Sequence, residues 1–188
     1  MAGLSSVLLH VSDTPSTFYP DLARLVEALR PRFIIHTGDL ADEVKLACCP
    51  CDRTLYGKRV KALLRILEES PALRVILVMG NHDCPETVRE LAGRSEVFER
   101  GIRLELEGVQ IAAAHRAEDL WETVAGDPAD FGFYGHDTSV LPTDVDGSQY
   151  LNGSVKIRIL DLATRTVRSI DYPQAVHDVR QKKRKIGL

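Results

Sequence analysis

Five short apolar runs in this 188-residue chain each stop at a residue type that binds metals. Val7–Val11 runs into Ser12-Asp13, and Phe33–His36 into Thr37-Gly38-Asp39. Val75–Met79 runs into Gly80-Asn81-His82-Asp83, Ile111–Ala114 into His115, and Phe131–Tyr134 into Gly135-His136-Asp137. A strand that stops at a polar, Gly-bracketed turn delivers that residue to the carboxyl edge of its sheet, where open α/β sheets bind their ligands. One such ending is ordinary. Five of them, carrying Asp, Asp, Asn-His, His and His, describe a built site whose donors suit a metal ion.

The segments between these runs read as helices. Ser16 or Thr17 can cap a helix over about 17–30 with Leu22, Leu25, Val26 and Leu29 on one face, and Pro31 stops it. A second helix spans about 53–69 and buries Val60, Leu63, Leu64 and Leu67, ending before Pro71. A short third covers about 85–92, with Pro85 early, where its missing N–H matters least. From residue 101 the pattern turns to alternation, at 102–106, 109–111, 155–159 and 167–170, with hairpin turns at Gly108 and Ala163-Thr164. The first half is thus β-α-β-α-β and the second is expected to be mostly antiparallel. An α/β architecture of two packed sheets flanked by helices accommodates both.

Composition narrows the function classes. At 44% hydrophobic and 27% charged residues the chain reads as one ordinary globular domain, expected over 1–175, with a basic tail over 176–188. A formal charge of −3 gives no general reason to expect nucleic-acid or anionic-membrane binding. The apolar runs fall far short of the ~20 residues that span a bilayer, and no stretch looks like a signal peptide, so a cytoplasmic protein without membrane partners is expected. The tail Arg180-Gln181-Lys182-Lys183-Arg184-Lys185 raises nucleic-acid binding, but short basic ends are usually solvated. Nucleic acid is therefore kept only as a substrate, and self-association stays open. Cys48, Cys49, Cys51 and Cys84 are too few for a disulfide scaffold. Cys48 and Cys51 form a C-x-x-C, but the second pair a structural zinc site would need is missing, so free thiols are the preferred reading.

Each candidate also has a bland reading. An Asp after a strand is most often a turn or cap residue, which applies to Asp13, Asp39 and Asp42. A lone His at a strand end, such as His115 or His136, is more often packed than ligating. His10 and His36 lie inside strands and read as structural, and His177 as solvated. Gly80-Asn81-His82-Asp83 is the sharpest local signal: Asn offers a carbonyl oxygen, His a ligand or proton donor, and Asp83 a carboxylate able to fix the His82 tautomer.

Taken in order, Ser12-Asp13, Gly38-Asp39-x-x-Asp42, Gly80-Asn81-His82-Asp83, His115 and Gly135-His136 resemble the calcineurin-like metallophosphoesterase family, in particular its small bacterial and archaeal phosphodiesterase branch. Asn152-Gly153-Ser154 is similar to the Asn-Pro-Gly-Ser turn late in that branch. The resemblance implies a four-layer αββα sandwich and a two-metal centre that hydrolyses phosphate esters. It implies Asp39 as the bridging ligand, with Asn81, His115 and His136 completing one metal's ligands and Asp13 on the other. His82 would protonate the leaving oxygen or stabilise the transition-state charge. Divalent cations are implied as cofactors, Mn²⁺ first, with Zn²⁺, Fe²⁺ and Ni²⁺ as alternatives.

Two departures fall on one metal. The family's Asp-x-His reads Asp13-Thr14-Pro15 here, and its Gly-His-x-His reads Gly135-His136-Asp137-Thr138. One tight and one weak or empty metal position are therefore expected. Asp137 is a poor substitute, because neighbours on an extended strand point to opposite faces. The leading expectation is a metal-dependent phosphoesterase, with a phosphodiester the favoured substrate. The rival is a catalytically weak or inactive relative serving as a protein-interaction scaffold, as in a retromer subunit that resembles this family. Monoester, cyclic-nucleotide and nucleic-acid diester hydrolysis share one centre, with specificity expected in the loops Ala47–Arg53 and Trp121–Asp130.

Overall fold

The computed structural model describes residues 6–42, 53–136, 144–145 and 147–185. Cys48, Cys49, Cys51, Asp137 and Thr138 lie outside the described residues, as does most of the loop Ala47–Arg53. The chain begins with β1 (Val7–Val11), a 3₁₀ turn (Ser16–Phe18), α1 (Tyr19–Leu29), β2 (Phe33–His36), α2 (Arg53–Glu68), β3 (Arg74–Val78), α3 (Pro85–Leu91) and β4 (Glu96–Phe98). It continues with β5 (Ile102–Leu106), β6 (Val109–Ala113), α4 (Ala117–Val124), β7 (Phe131–Tyr134), β8 (Asp144–Val145), β9 (Ser148–Asn152), β10 (Ile157–Asp161), β11 (Thr166–Ile170) and α5 (Gln174–Lys185). Among the described residues two sheets form, one in the order β11-β10-β1-β2-β3-β4 and the other β5-β6-β7-β9-β8.

The near-continuous apolar character of β1, β2 and β3 follows from burial on both faces. Leu9 and Val11 of β1, with Ile34, Val75 and Leu77, face Leu22 and Val26 of α1 and Val60, Leu63 and Leu67 of α2. The alternate residues Leu8, Phe33, Ile35, Ile76 and Val78 face Ile111, Ala113, Phe131, Phe133 and Leu151 of the second sheet. That sheet's other face, through Ala112, Ala114, Tyr134 and Tyr150, is covered by Leu120 and Val124 of α4. Three apolar seams thus separate helix, sheet, sheet and helix, the expected four-layer sandwich. No helix of the described residues is long and apolar enough to cross a membrane.

The second half pairs mostly antiparallel, as expected, but the core of its own sheet does not. β6–β7 and β7–β9 are parallel, and only β5–β6 and β8–β9 pair antiparallel within that sheet. The hairpin β10–β11 instead joins β1 in the first sheet. Alternation marked the half-exposed strands β5 and β11, whereas β7 is buried on both faces and shows none. The strand expected at 155–159 lies two residues later, which preserves its inward face. Most of α4 falls in or beside the stretch expected as the loop Trp121–Asp130. The expected tail begins instead as helix α5, whose Val176 is buried in the seam that holds Phe18 and Tyr172.

α2 ends on a side-chain cap that its own sequence does not announce. The Arg94 guanidinium donates to the carbonyls of Glu68, Ser70 and Ala72, and the Glu68 carboxylate accepts N–H bonds from Gly93, Arg94 and Ser95. These bonds supply the orphaned helix carbonyls with partners and fix the approach to β4.

His10 and His36 are wholly interior. His36 Nδ1 accepts the Gly38 N–H at 3.2 Å, so its Nε2–H donates to Thr14 Oγ1 at 2.9 Å, and Thr14 donates onward to the Leu40 carbonyl at 3.1 Å. Burial, opposed by Asp13 and helped by His115, lowers the His36 pKa to about 3. Burial, then Arg158 and His36, lowers that of His10 well below its ordinary value. Between the unfolded value near 6.5 and these folded values the unfolded chain binds more protons, so stability rises with pH and is lost on acidification. Urea unfolding of the metal-free protein should show His36 alone removing about 2 kcal/mol between pH 7 and pH 5. His36→Asn should make that slope shallower by about 1 kcal/mol per pH unit on average over the same window.

Candidate metal centre

Register brings the five strand endings together. Val11 of β1 aligns with His36 of β2, and His36 with Leu77 of β3, so three loops leave one edge of the first sheet side by side. In the second sheet Ala113 aligns with Phe133, and Phe133 with Leu151. The loop after β1 bonds to the loop after β2 through Asp13 N–H to Gly38 O at 3.0 Å and Thr14 N–H to Asp39 O at 3.1 Å. Across the second sheet, Gly135 N–H reaches His115 O at 2.9 Å and Gly153 N–H reaches Tyr134 O at 2.7 Å.

Asp13, Asp39 and His136 sit in left-handed backbone, at φ of 51°, 53° and 69°. That region costs a non-glycine residue about 1–2 kcal/mol and persists only where the surroundings enforce it. Two glycines permit the crowding. A Cβ on Gly80 would collide with the Asp39 carboxylate, and one on Gly135 with the Ser12 hydroxyl and the Asp13 carboxylate.

His115 is the hub. Its Nδ1 lies 2.6 Å from the Thr37 carbonyl oxygen, which can only accept, so Nδ1 carries the proton and Nε2 presents a lone pair. Around Nε2 stand Asn81 Oδ1 at 3.0 Å, His136 Nδ1 at 3.1 Å and Asp39 Oδ1 at 3.7 Å. Asn81 Oδ1 and Asp39 Oδ1 thus turn acceptor atoms toward that lone pair, and the His136 ring adds a nitrogen able to ligate. Metal–ligand bonds of about 2.0–2.2 Å give ligand–ligand edges of about 3.0–3.5 Å, close to the Asn81 and His136 distances from Nε2 and a little short of the Asp39 one. Donor atoms of Asp13, Asp39 and His115, all buried, also lie within 4.8 Å of one another.

Asp13 is anchored from both sheets. Its Oδ2 accepts the hydroxyls of Ser12 at 2.6 Å and Ser154 at 2.7 Å, and the His136 N–H at 3.1 Å. Tyr172, from the segment before α5, accepts the Ser12 N–H at 3.3 Å and donates to the Gly153 carbonyl at 2.7 Å. Pro15, buried at the start of the 3₁₀ turn, brings no donor atom to the Asp13 side of the centre.

Asp83 does not support His82. One carboxylate oxygen accepts N–H bonds from Asp39 and Gly80, both at 2.8 Å; the other accepts the Leu40 N–H at 2.9 Å and the Tyr56 hydroxyl at 3.0 Å. Its donors come from the neighbouring loop and α2, so the expected Asp83–imidazole pair is replaced by a backbone clasp. Burial pushes the Asp83 pKa up, while the bonds from Gly80, Leu40 and Tyr56 pull against it. His82 is exposed at the rim, and its backbone N–H bonds Asp39 Oδ1 at 3.1 Å.

Asp39, Asn81, His115 and His136 are therefore brought together, with Asp13 adjoining and His82 at the mouth. Ser12, Thr37, Ser154 and Tyr56 are site-building residues to which sequence reasoning gave no role. The Ser12-Asp13 and Gly153-Ser154 pairs carried a local signal, whereas Thr37 acts through its carbonyl and Tyr56 lies on a helix distant in sequence.

A profile of the family described as calcineurin-like phosphoesterase matches residues 6–178. No curated protein sequence matches significantly. Among solved structures, an archaeal phosphodiesterase is 19% identical with a TM-score of 0.60, over 88% of this chain and 99% of that one. The phosphoesterase YfcE of E. coli is 17% identical with a TM-score of 0.59, over 89% and 100%. A Vps29 variant (D62A) from Entamoeba histolytica is 16% identical with a TM-score of 0.51, over 89% and 99%. At these identities the likeness is one of fold.

Asp83→Asn should damage this arrangement directly, because an amide turns two donor hydrogens toward backbone N–H groups. The loss should be about 1–3 kcal/mol of stability in urea unfolding. Mn²⁺ affinity, measured by calorimetric titration, should fall with it.

Proposed function

The chain belongs to the calcineurin-like phosphoesterase family, and on that premise we propose that it is a metal-dependent phosphoesterase acting on phosphodiesters, with one metal position intact and the other weakened. The observation that carries this reading is the convergence of Asp39, Asn81 and His136 donor atoms on the bare Nε2 of His115. These four residues would hold the tight ion; Mn²⁺ is favoured, and Zn²⁺, Fe²⁺ and Ni²⁺ suit the same mixed N/O donors. Asp13 and Asp39 would offer a second ion only carboxylates on this side of the centre, since Pro15 has no donor. When bound, a divalent ion supplies Lewis acidity toward a phosphoryl oxygen and lowers the pKa of water.

The chain's own residues divide the remaining work. The Thr37 carbonyl keeps His115 in the ligating tautomer. Ser12 and Ser154 orient Asp13. His82, exposed beside Asn81, would give a proton to the leaving oxygen, and its main chain braces Asp39. Pro15 also favours a second reading, a weakly active relative that serves as a binding scaffold. The fold likeness to the Entamoeba protein is compatible with it.

Turnover separates the two readings. With added Mn²⁺ the purified protein should hydrolyse an activated aryl phosphodiester, and absence of metal-dependent turnover would favour the scaffold. On an unactivated diester, His82→Ala should lose about 10²–10⁴-fold in turnover while metal content stays unchanged. Full activity in that variant would remove His82 from the mechanism.

A further inference from the structure

We propose that Tyr56 is a positioning residue for the metal centre, fixing through its hydroxyl the Asp83 carboxylate that locks the Asp39 and Asn81 loops together. The assignment rests on the metal-binding part of the proposed function and is independent of the hydrolysis. Tyr56 stands in the first turns of α2 with its ring in the seam between that helix and the first sheet, 7% exposed. Its hydroxyl donates to Asp83 Oδ1 at 3.0 Å and accepts the Cys84 N–H at 3.0 Å. The phenol therefore reaches past the apolar seam and ties a helix to the loop that carries Asn81.

The donors on Asp83 pair two to an oxygen, Leu40 N–H with the Tyr56 hydroxyl on one and Asp39 N–H with Gly80 N–H on the other. Three of the four are main-chain groups, so Tyr56 is the one of these donors that a side-chain change removes. Without the hydroxyl, Oδ1 keeps a single donor and Cys84 N–H loses its acceptor. The loop over 80–84 could then turn against the Asp39 loop. Asp39 Oδ1 and Asn81 Oδ1 ride on those two loops, and both aim at His115 Nε2. A small rotation there spoils the spacing of two donors at once. Buried outer partners of metal ligands typically govern affinity by 10–100-fold.

A purely structural tyrosine would affect stability alone, and Val60 provides the comparison. It lies one turn further along α2, is fully buried in the same seam, and touches neither loop through hydrogen bonds. The test is calorimetric titration of Mn²⁺ into the wild-type protein, Tyr56→Phe and Val60→Ala, with a thermal melt of each. Tyr56→Phe keeps the ring and should fold with a modest loss of Tm, yet bind Mn²⁺ about 10–100-fold more weakly. Val60→Ala should lose stability by leaving a cavity and bind Mn²⁺ as the wild type does. Equal Mn²⁺ affinity in Tyr56→Phe and wild type would overturn the assignment while leaving the metal reading intact. Equal weakening in Val60→Ala would overturn it too, since general loosening would then account for the effect. A wild-type protein that binds no Mn²⁺ would overturn the metal reading, and the positioning role with it.

Discussion

The centre depends on a reciprocal pair of carboxylates. Asp83 accepts the N–H of Asp39, and Asp39 accepts the N–H of His82, so the loops after β2 and β3 are stitched in both directions. This is what keeps Asp39 in left-handed backbone, at a local expense of about 1–2 kcal/mol. Hydrogen bonds to a charged acceptor contribute about 1.5–3 kcal/mol each, enough to hold the turn. The close approach exists only because Gly80 has no side chain.

Electrostatics explains why so ordered a site would be maintained. Asp13, Asp39 and His115 are 5%, 3% and 4% exposed, so two carboxylates and a ligating imidazole are withdrawn from water within one small volume. Buried carboxylates repel one another and lose hydration unless hydrogen bonds or a cation compensate. Ser12, Ser154 and the His136 N–H supply part of that compensation to Asp13, while the His115 side is left with acceptor atoms facing acceptor atoms. A divalent cation would resolve that arrangement.

Much of this was legible in the sequence because a buried parallel strand and its terminal turn are local patterns. Val75–Met79 followed by Gly80-Asn81-His82-Asp83 announces strand, edge and donors within nine residues. What the pattern could not convey was partnership across the fold. Asp83 was read as the support of its neighbour His82, yet its donors Leu40 and Tyr56 lie 43 and 27 residues away in sequence. The parallel pairing of β7 with β6 and β9 was missed for a related reason, since a strand buried on both faces carries no alternation to reveal its direction. Ser154 serves Asp13 across 141 residues, a relation only the meeting of both sheets creates.

The proposed inequality of the two metal positions is the central claim of this account. Counting bound Mn²⁺ per chain, by titration with electron paramagnetic resonance of the unbound ion, tests it most directly. The donor sets predict about one tightly held ion at low Mn²⁺, with a second entering only at high concentration, because four N/O ligands suffice for one ion. Two ions held tightly at low Mn²⁺, or none at all, would contradict the account.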